Sequence, residues 1–204
     1  DIGYWMSKYV LSIISDMQIN RLQELAQKPD APFVYAYSYY GDYYISPTKD
    51  AWNNIAMAKD MSGIDEAITA IVTENNRMQQ YGFTASEYER AKADFMKQIE
   101  NKYNERNNTE NRFYVNECLD NFLTNEPMMG IETEYTLYQQ IAPNVPLETI
   151  NAFAAQLIPE NNLVITVTTP KKEGETAPTK EQILAVYNAA KDIEVEPYKE
   201  EVFE

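Results

Sequence analysis

The sequence has 204 residues, with 17 Lys and Arg against 32 Asp and Glu, a net charge of −15 at pH 7, one cysteine and no histidine. Histidine is the usual general base and commonest metal ligand near neutral pH, so a Ser-His-Asp triad, a Cys-His pair and an H-x-x-E-H zinc helix are excluded. The acidic balance argues against the nucleic-acid backbone and anionic membranes as partners, and no apolar run approaches the ~20 residues of a membrane span.

Residues 4–27 read as a helix. Val10, Ile13, Ile14, Met17 and Leu25 fall at helical spacing, and Trp5, Tyr9 and Leu11 add apolar surface elsewhere. So wide a surface implies more than one neighbour. The face holding Trp5, Tyr9 and Leu11 is expected to be covered from outside this chain. Asp1 opens the sequence without a basic leader and the helical pattern begins at Tyr4 and Trp5, which reads as a fragment of a longer protein.

Phe33 to Tyr44 alternates as a strand. Phe33, Tyr35, Tyr37 and Tyr39 share one parity, and Gly41 marks a bend or bulge. Pro47 is expected to end the stretch, and a second antiparallel strand is expected over Trp52–Lys59. Ser62 is placed to cap a helix that runs to Tyr81, with Gly82 just past its end. Thr84 and Glu87 form a capping box opening a long helix whose stripe is Tyr88, Ala91, Phe95, Ile99 and Tyr103. On that cap alone, loss of Glu87 would cost about 0.5–2 kcal/mol.

Asn107-Asn108-Thr109 interrupts the pattern and is formally a glycosylation acceptor. Helices are then expected over 111–124, 132–142 and 147–157, followed by a third strand at Leu163–Thr169. The polar stretch after Pro170 reads as linker. A capping box at Thr179 and Gln182 opens a helix over 180–191, and residues 193–204 are acidic and extended. The order predicts an α+β, two-layer sandwich, a mainly antiparallel sheet with helices packed on one face.

The crowded tyrosines of the first strand are the candidate binding residues, Tyr35, Tyr37 and Tyr39 foremost. Tyrosine is apolar in body and polar at its tip, suiting peptide or glycan contact, and it is equally a good strand residue packing under helices. The neighbouring carboxylates Glu87 and Glu89, Glu132 and Glu134, and Glu173 and Glu175 lack the spacing across a cleft that a glycosidase needs, so a solvated face accounts for them. No catalytic and no metal residue is assigned, and phosphate-binding glycine motifs are absent.

The ordered motifs resemble a known family. Asn20-Arg21-Leu22-Gln23-Glu24-Leu25, Ala31-Pro32-Phe33, Tyr81-Gly82-Phe83-Thr84, then Glu87, Glu89, Arg90, Ala91 and Lys92 are similar to the non-catalytic domain of insulinase/pitrilysin-type zinc peptidases. Phe122-Leu123 before Pro127, Gly130-Ile131-Glu132 and Asn162-Leu163-Val164-Ile165 extend the match over about residues 8–170.

The resemblance implies the LuxS/MPP-like metalloenzyme sandwich. It also implies an inactive peptidase domain at 1–170, with 171–204 leading to a next domain. Many partner domains of the family present an Arg and a Tyr after the first helix; here that region reads Glu24-Leu25-Ala26-Gln27 and Pro32-Phe33-Val34, without such a pair. The implied role is structural support and a peptide-chamber wall for a catalytic peptidase domain of the same parent chain, with peptide substrate met indirectly. Zinc is then expected only in that separate domain, with no cofactor here, and a periplasmic or secreted bacterial location follows. The alternative is a free-standing peptide- or glycan-binding module using the tyrosine-rich hairpin.

Overall fold

A computed structural model describes residues 2–43, 46–171, 173–174 and 176–200. Helix α1 (Ile2–Ala26) is followed by strands β1 (Tyr35–Tyr43) and β2 (Ser46–Met57). Six helices come after them: α2 (Ile64–Tyr81), α3 (Ala85–Asn104), α4 (Asn111–Thr124), α5 (Ile131–Asn144), α6 (Leu147–Gln156) and α7 (Lys180–Lys191). The class is α+β, as expected.

Helix α1 is the axis of the core. Trp5, Tyr9, Val10, Ile13, Ile14, Met17 and Leu22 are all buried. The expectation that Trp5 and Tyr9 need cover from outside is corrected: both pack edge-on or tilted against Tyr138 of α5, and Tyr9 also meets Phe95 of α3. Five further core residues, Tyr88, Ala91, Ile99, Ile141 and Ile150, come from α3, α5 and α6. The Tyr9 and Tyr88 hydroxyls lie 3.2 Å apart, and Tyr88 donates to the carbonyl of Val145 at 2.6 Å, so these buried phenols are satisfied.

The hairpin lies on α1. Backbone N–H of Tyr40 donates to Ser15 Oγ at 3.2 Å, and Ser15 donates to Leu11 O. Trp52 and Asn75 join β2 to α2 through an indole hydrogen bond of 3.1 Å. Pairing runs from Tyr35 opposite Met57 to Asp42 opposite Asp50, with a register shift between Asp42 and Tyr43.

Three sequence expectations change here. Strand β2 begins at Ser46 and includes Pro47, because an edge strand tolerates a proline beside its turn; Tyr44 lies outside the described residues. Residues 163–169 form no ladder, since an extended segment becomes a strand only with a neighbour, and the described sheet contains β1 and β2 alone. Asp60, not Ser62, caps the turn before α2, accepting from the N–H groups of Ser62 and Gly63.

The junction between α2 and α3 reads as the sequence suggests. Gly82 has φ 66°, and a Cβ there would sit 2.4 Å from the Asn151 side chain. Asn151 accepts from Phe83 N and donates to Phe83 O. The Thr84–Glu87 capping box is present.

Glu87 has a second duty that spacing could not reveal. Its Oε1 accepts from Arg21 Nε at 2.6 Å and its Oε2 from Arg21 Nη2 at 2.9 Å, with Arg21 2% and Glu87 5% exposed. Removing one partner of a buried pair strands the other charge. Glu87→Ala is therefore expected to lose about 3–5 kcal/mol in urea melts, above the value for a cap alone. The double variant Arg21→Met with Glu87→Leu should lose clearly less than the two single losses combined, and additive losses would show that the pair is not coupled.

Candidate functional site

The candidate tyrosines are sorted by strand alternation. Ala36 and Ser38 turn inward and are buried, so Tyr35 and Tyr37 turn outward, exposed by 48% and 39%, with Tyr39 half-buried beside them. Their rings form a ladder: Tyr35 and Tyr37 stack with centroids 6.4 Å apart, and Tyr37 and Tyr39 at 6.2 Å, both at 18° between planes.

Register adds residues that spacing alone left apart. Met57 stands opposite Tyr35, Ile55 opposite Tyr37 and Asn53 opposite Tyr39, which puts them on the ladder's face. The result is an aromatic and aliphatic sheet surface with phenol hydroxyls at its tips. Each of the two strands also has one edge without a ladder among the described residues. Such a surface can hold an extended chain through edge hydrogen bonds and side-chain contact.

The other candidates disperse. Glu89 pairs with Lys92 at 3.4 Å and Glu132 with Arg106 at 3.2 Å, while Glu173 is exposed and Glu175 lies outside the described residues. Asn107 and Asn108 occupy an exposed turn. Cys118 is exposed on α4.

Two of the described acids are raised above the usual carboxylate range. Burial holds Glu134 above the usual carboxylate range, with Lys102 and Lys8 pulling the other way. Burial, then the charge of Asp94, raises Asp16. The Glu134 carboxyl lines a cleft of about 280 Å³ between the start of α1 and α4, together with Lys8, Glu117, Asp120 and Glu126. Sequence inspection missed this cleft because its residues are scattered over more than a hundred positions.

No family model matches the sequence. Among curated proteins, a zinc protease PQQL-like protein of Arabidopsis thaliana is 25% identical over 125 residues, 61% of this chain and 13% of that protein. The first half of the periplasmic protease PqqL from Escherichia coli aligns with 98% of this chain and 42% of its own, at a TM-score of 0.73 and 18% identity. A predicted insulinase family protease from Yersinia pestis aligns with 93% of this chain and 39% of its own, at 0.71 and 13%. The resemblance to insulinase/pitrilysin-type proteases is thus present in sequence and in fold. The chain spans 13% of the curated relative and well under half of these solved chains.

Zinc, which the relative's name implies, does not fit the residues present. There is no histidine and one cysteine, and no group of three or more acidic or cysteine residues among the described ones is arranged to hold a metal.

The Asp16 shift has a measurable sign. The folded state holds the Asp16 proton more tightly than the unfolded chain, so ionisation works against folding. That penalty is absent below the unfolded carboxylate pKa and complete once the pH exceeds the raised folded value. Asp16→Asn is therefore expected to melt above the parent chain at pH 7, with the gap closing below about pH 4 in thermal scans.

Proposed function

We propose that this chain is a non-catalytic domain of an insulinase/pitrilysin-type zinc protease, supporting a catalytic domain elsewhere in the parent polypeptide and walling its peptide chamber. The observation that carries the reading is the outward tyrosine ladder. Tyr35, Tyr37 and Tyr39 are displayed on a sheet face that the chain's own helices leave uncovered, in a fold shared with longer proteases. Helices hold the inner face, so the ladder is the side that would meet a peptide.

In this reading the sheet is completed by further strands into the two-layer, LuxS/MPP-like sandwich, and residues 163–169 are one of the strands that gain a partner. Residues 1–170 form the inactive peptidase unit. Residues 171–204 lead towards a next domain, with α7 lying on α2. Zinc belongs to the catalytic domain in this reading, and the location is periplasmic or secreted; the Escherichia coli neighbour is named a periplasmic protease.

A free-standing peptide- or glycan-binding module would use the same ladder. An H-x-x-E-H helix in the same reading frame separates the two readings, because a free-standing module has none.

The triple variant Tyr35→Ala, Tyr37→Ala, Tyr39→Ala tests the wall. These side chains are not core, so the fold should survive. In the full-length gene product, KM for an extended fluorogenic peptide should rise about tenfold while kcat changes by less than about twofold. An unchanged KM would remove the ladder from substrate contact. Absence of peptidase activity from the full-length product would sink the protease reading itself.

A further inference from the structure

Tyr35, Tyr37 and Tyr39 stand on alternate positions of one strand, and their rings repeat at 6.4 and 6.2 Å. Side chains stand roughly perpendicular to a sheet, so rings with planes 18° apart set the three hydroxyls in a row above β1. None of these hydroxyls has a hydrogen-bond partner among the described residues. A phenol can donate to a carbonyl or accept from an N–H. The ladder is thus a line of unused hydrogen-bonding groups at a fixed repeat.

That repeat is also the repeat of an extended backbone. A strand rises about 3.3 Å per residue, so its peptide groups on one side recur at about 6.6 Å. A helix advances only about 1.5 Å per residue and bonds its backbone groups internally. A polyproline chain, with roughly three residues per turn, shows the same side only every third residue. Met57, Ile55 and Asn53 stand opposite the three rings, so the ladder and its cross-strand row carry no charged side chain.

We propose that the hydroxyls of Tyr35, Tyr37 and Tyr39 hydrogen-bond the backbone of an extended peptide laid along β1, one peptide group to each hydroxyl at every second residue. The three tyrosines then determine specificity for conformation and length, and not for sequence. The substrate class is any segment that can be drawn out over about five residues, the shortest stretch that meets all three rungs at this repeat. A segment that stays helical does not fit, and a shorter peptide loses rungs. The uncharged face sets no requirement on the charge of the side chains above it.

This inference rests on the reading of the ladder as a wall that meets peptide, and its test separates the two. The full-length gene product is held in a zinc chelator so that bound peptide stays whole. Fluorescence anisotropy then gives Kd for a labelled, unstructured peptide longer than the ladder. The variant Tyr35→Phe, Tyr37→Phe, Tyr39→Phe keeps the rings and removes only the hydroxyls. Its Kd should be at least about tenfold weaker, the product of about two- to threefold for each neutral hydrogen bond. Replacing single backbone amides of the peptide by esters removes an N–H and weakens a carbonyl. In the parent protein this should weaken binding about threefold at positions of one parity within the ladder's span and leave the other parity unchanged. The Phe variant should show no such alternation.

A Phe variant that binds as the parent does, while the triple Ala variant binds worse, would overturn the backbone contact and leave the wall standing. If the Ala variant also binds as the parent does, the ladder does not meet peptide and both readings fail. Alternation that persists in the Phe variant would place the backbone contact elsewhere in the protein and overturn the proposal. Failure of the parent to bind the peptide would overturn it too, and binding of a neutral oligosaccharide instead would give the ladder to sugars. Because binding and not turnover is measured, a product that binds in the expected pattern without peptidase activity would support this contact and remove the protease reading alone.

Discussion

Arg21 projects from α1 into a site where Glu87, Gly82, Phe83 and Tyr198 meet it. Its Nε and Nη2 donate to the two oxygens of Glu87, and Nη2 also donates to the carbonyl of Gly82 at 2.9 Å. Phe83 and Tyr198 lie over the guanidinium, with centroids at 4.6 and 4.4 Å from its central carbon. Tyr198 in turn donates to Glu24 at 2.7 Å. Glu87 is meanwhile the cap of α3, accepting from the N–H and hydroxyl of Thr84. One carboxylate therefore fixes where α3 begins and where α1 lies beside it. Burying two charges costs much of what their attraction returns, so the pair is better understood as setting geometry than as adding stability. Everything on α3 follows from that setting, including Tyr88 at its start and Phe95 two turns on, which meets Tyr9 and Tyr138.

The same site recruits the end of the chain. Residues after α7 fold back over α1 to α3: Val195 is buried, Arg77 donates to the carbonyl of Glu196, and Glu200 accepts from Ser86 and Arg90. The Ser86 and Arg90 hydrogen bonds hold the Glu200 carboxyl below its usual range. An acidic, extended tail in the sequence is thus, up to residue 200, a segment with defined partners.

What the sequence displayed and what it hid divide along the range of the interactions. Capping boxes at Thr84 and Thr179, the left-handed Gly82 and the helical stripes were legible because each depends on residues a few positions apart. The parity of the tyrosines was legible too, but not which parity faces out, since that is decided by Ser15 and the small residues Ala36 and Ser38 against α1. Arg21 and Glu87 are 66 residues apart, and nothing local marks either as a partner of the other. The segment 163–169 has the alternation of a strand and lacks the neighbour that makes one, which no inspection of the segment itself could reveal. Trp5 misled for the opposite reason: its partner Tyr138 is inside the chain, on a helix more than a hundred residues away.

The tyrosine ladder and the exposed stripe of α4, Val115, Cys118, Leu119, Phe122 and Leu123, differ in chemistry. The ladder on β1 is made of tyrosines, whose hydroxyls keep the rings compatible with water, and its stacking is already satisfied within the strand. Such a face can be bare at one moment and occupied the next. The stripe on α4 is Val, Cys, Leu, Phe and Leu, with no polar atom beyond a thiol to hydrate. Leaving it bare costs free energy continuously, roughly in proportion to the apolar area in water. A surface that tolerates exposure suits a partner that comes and goes, and by this criterion the tyrosine face fits an exchangeable peptide.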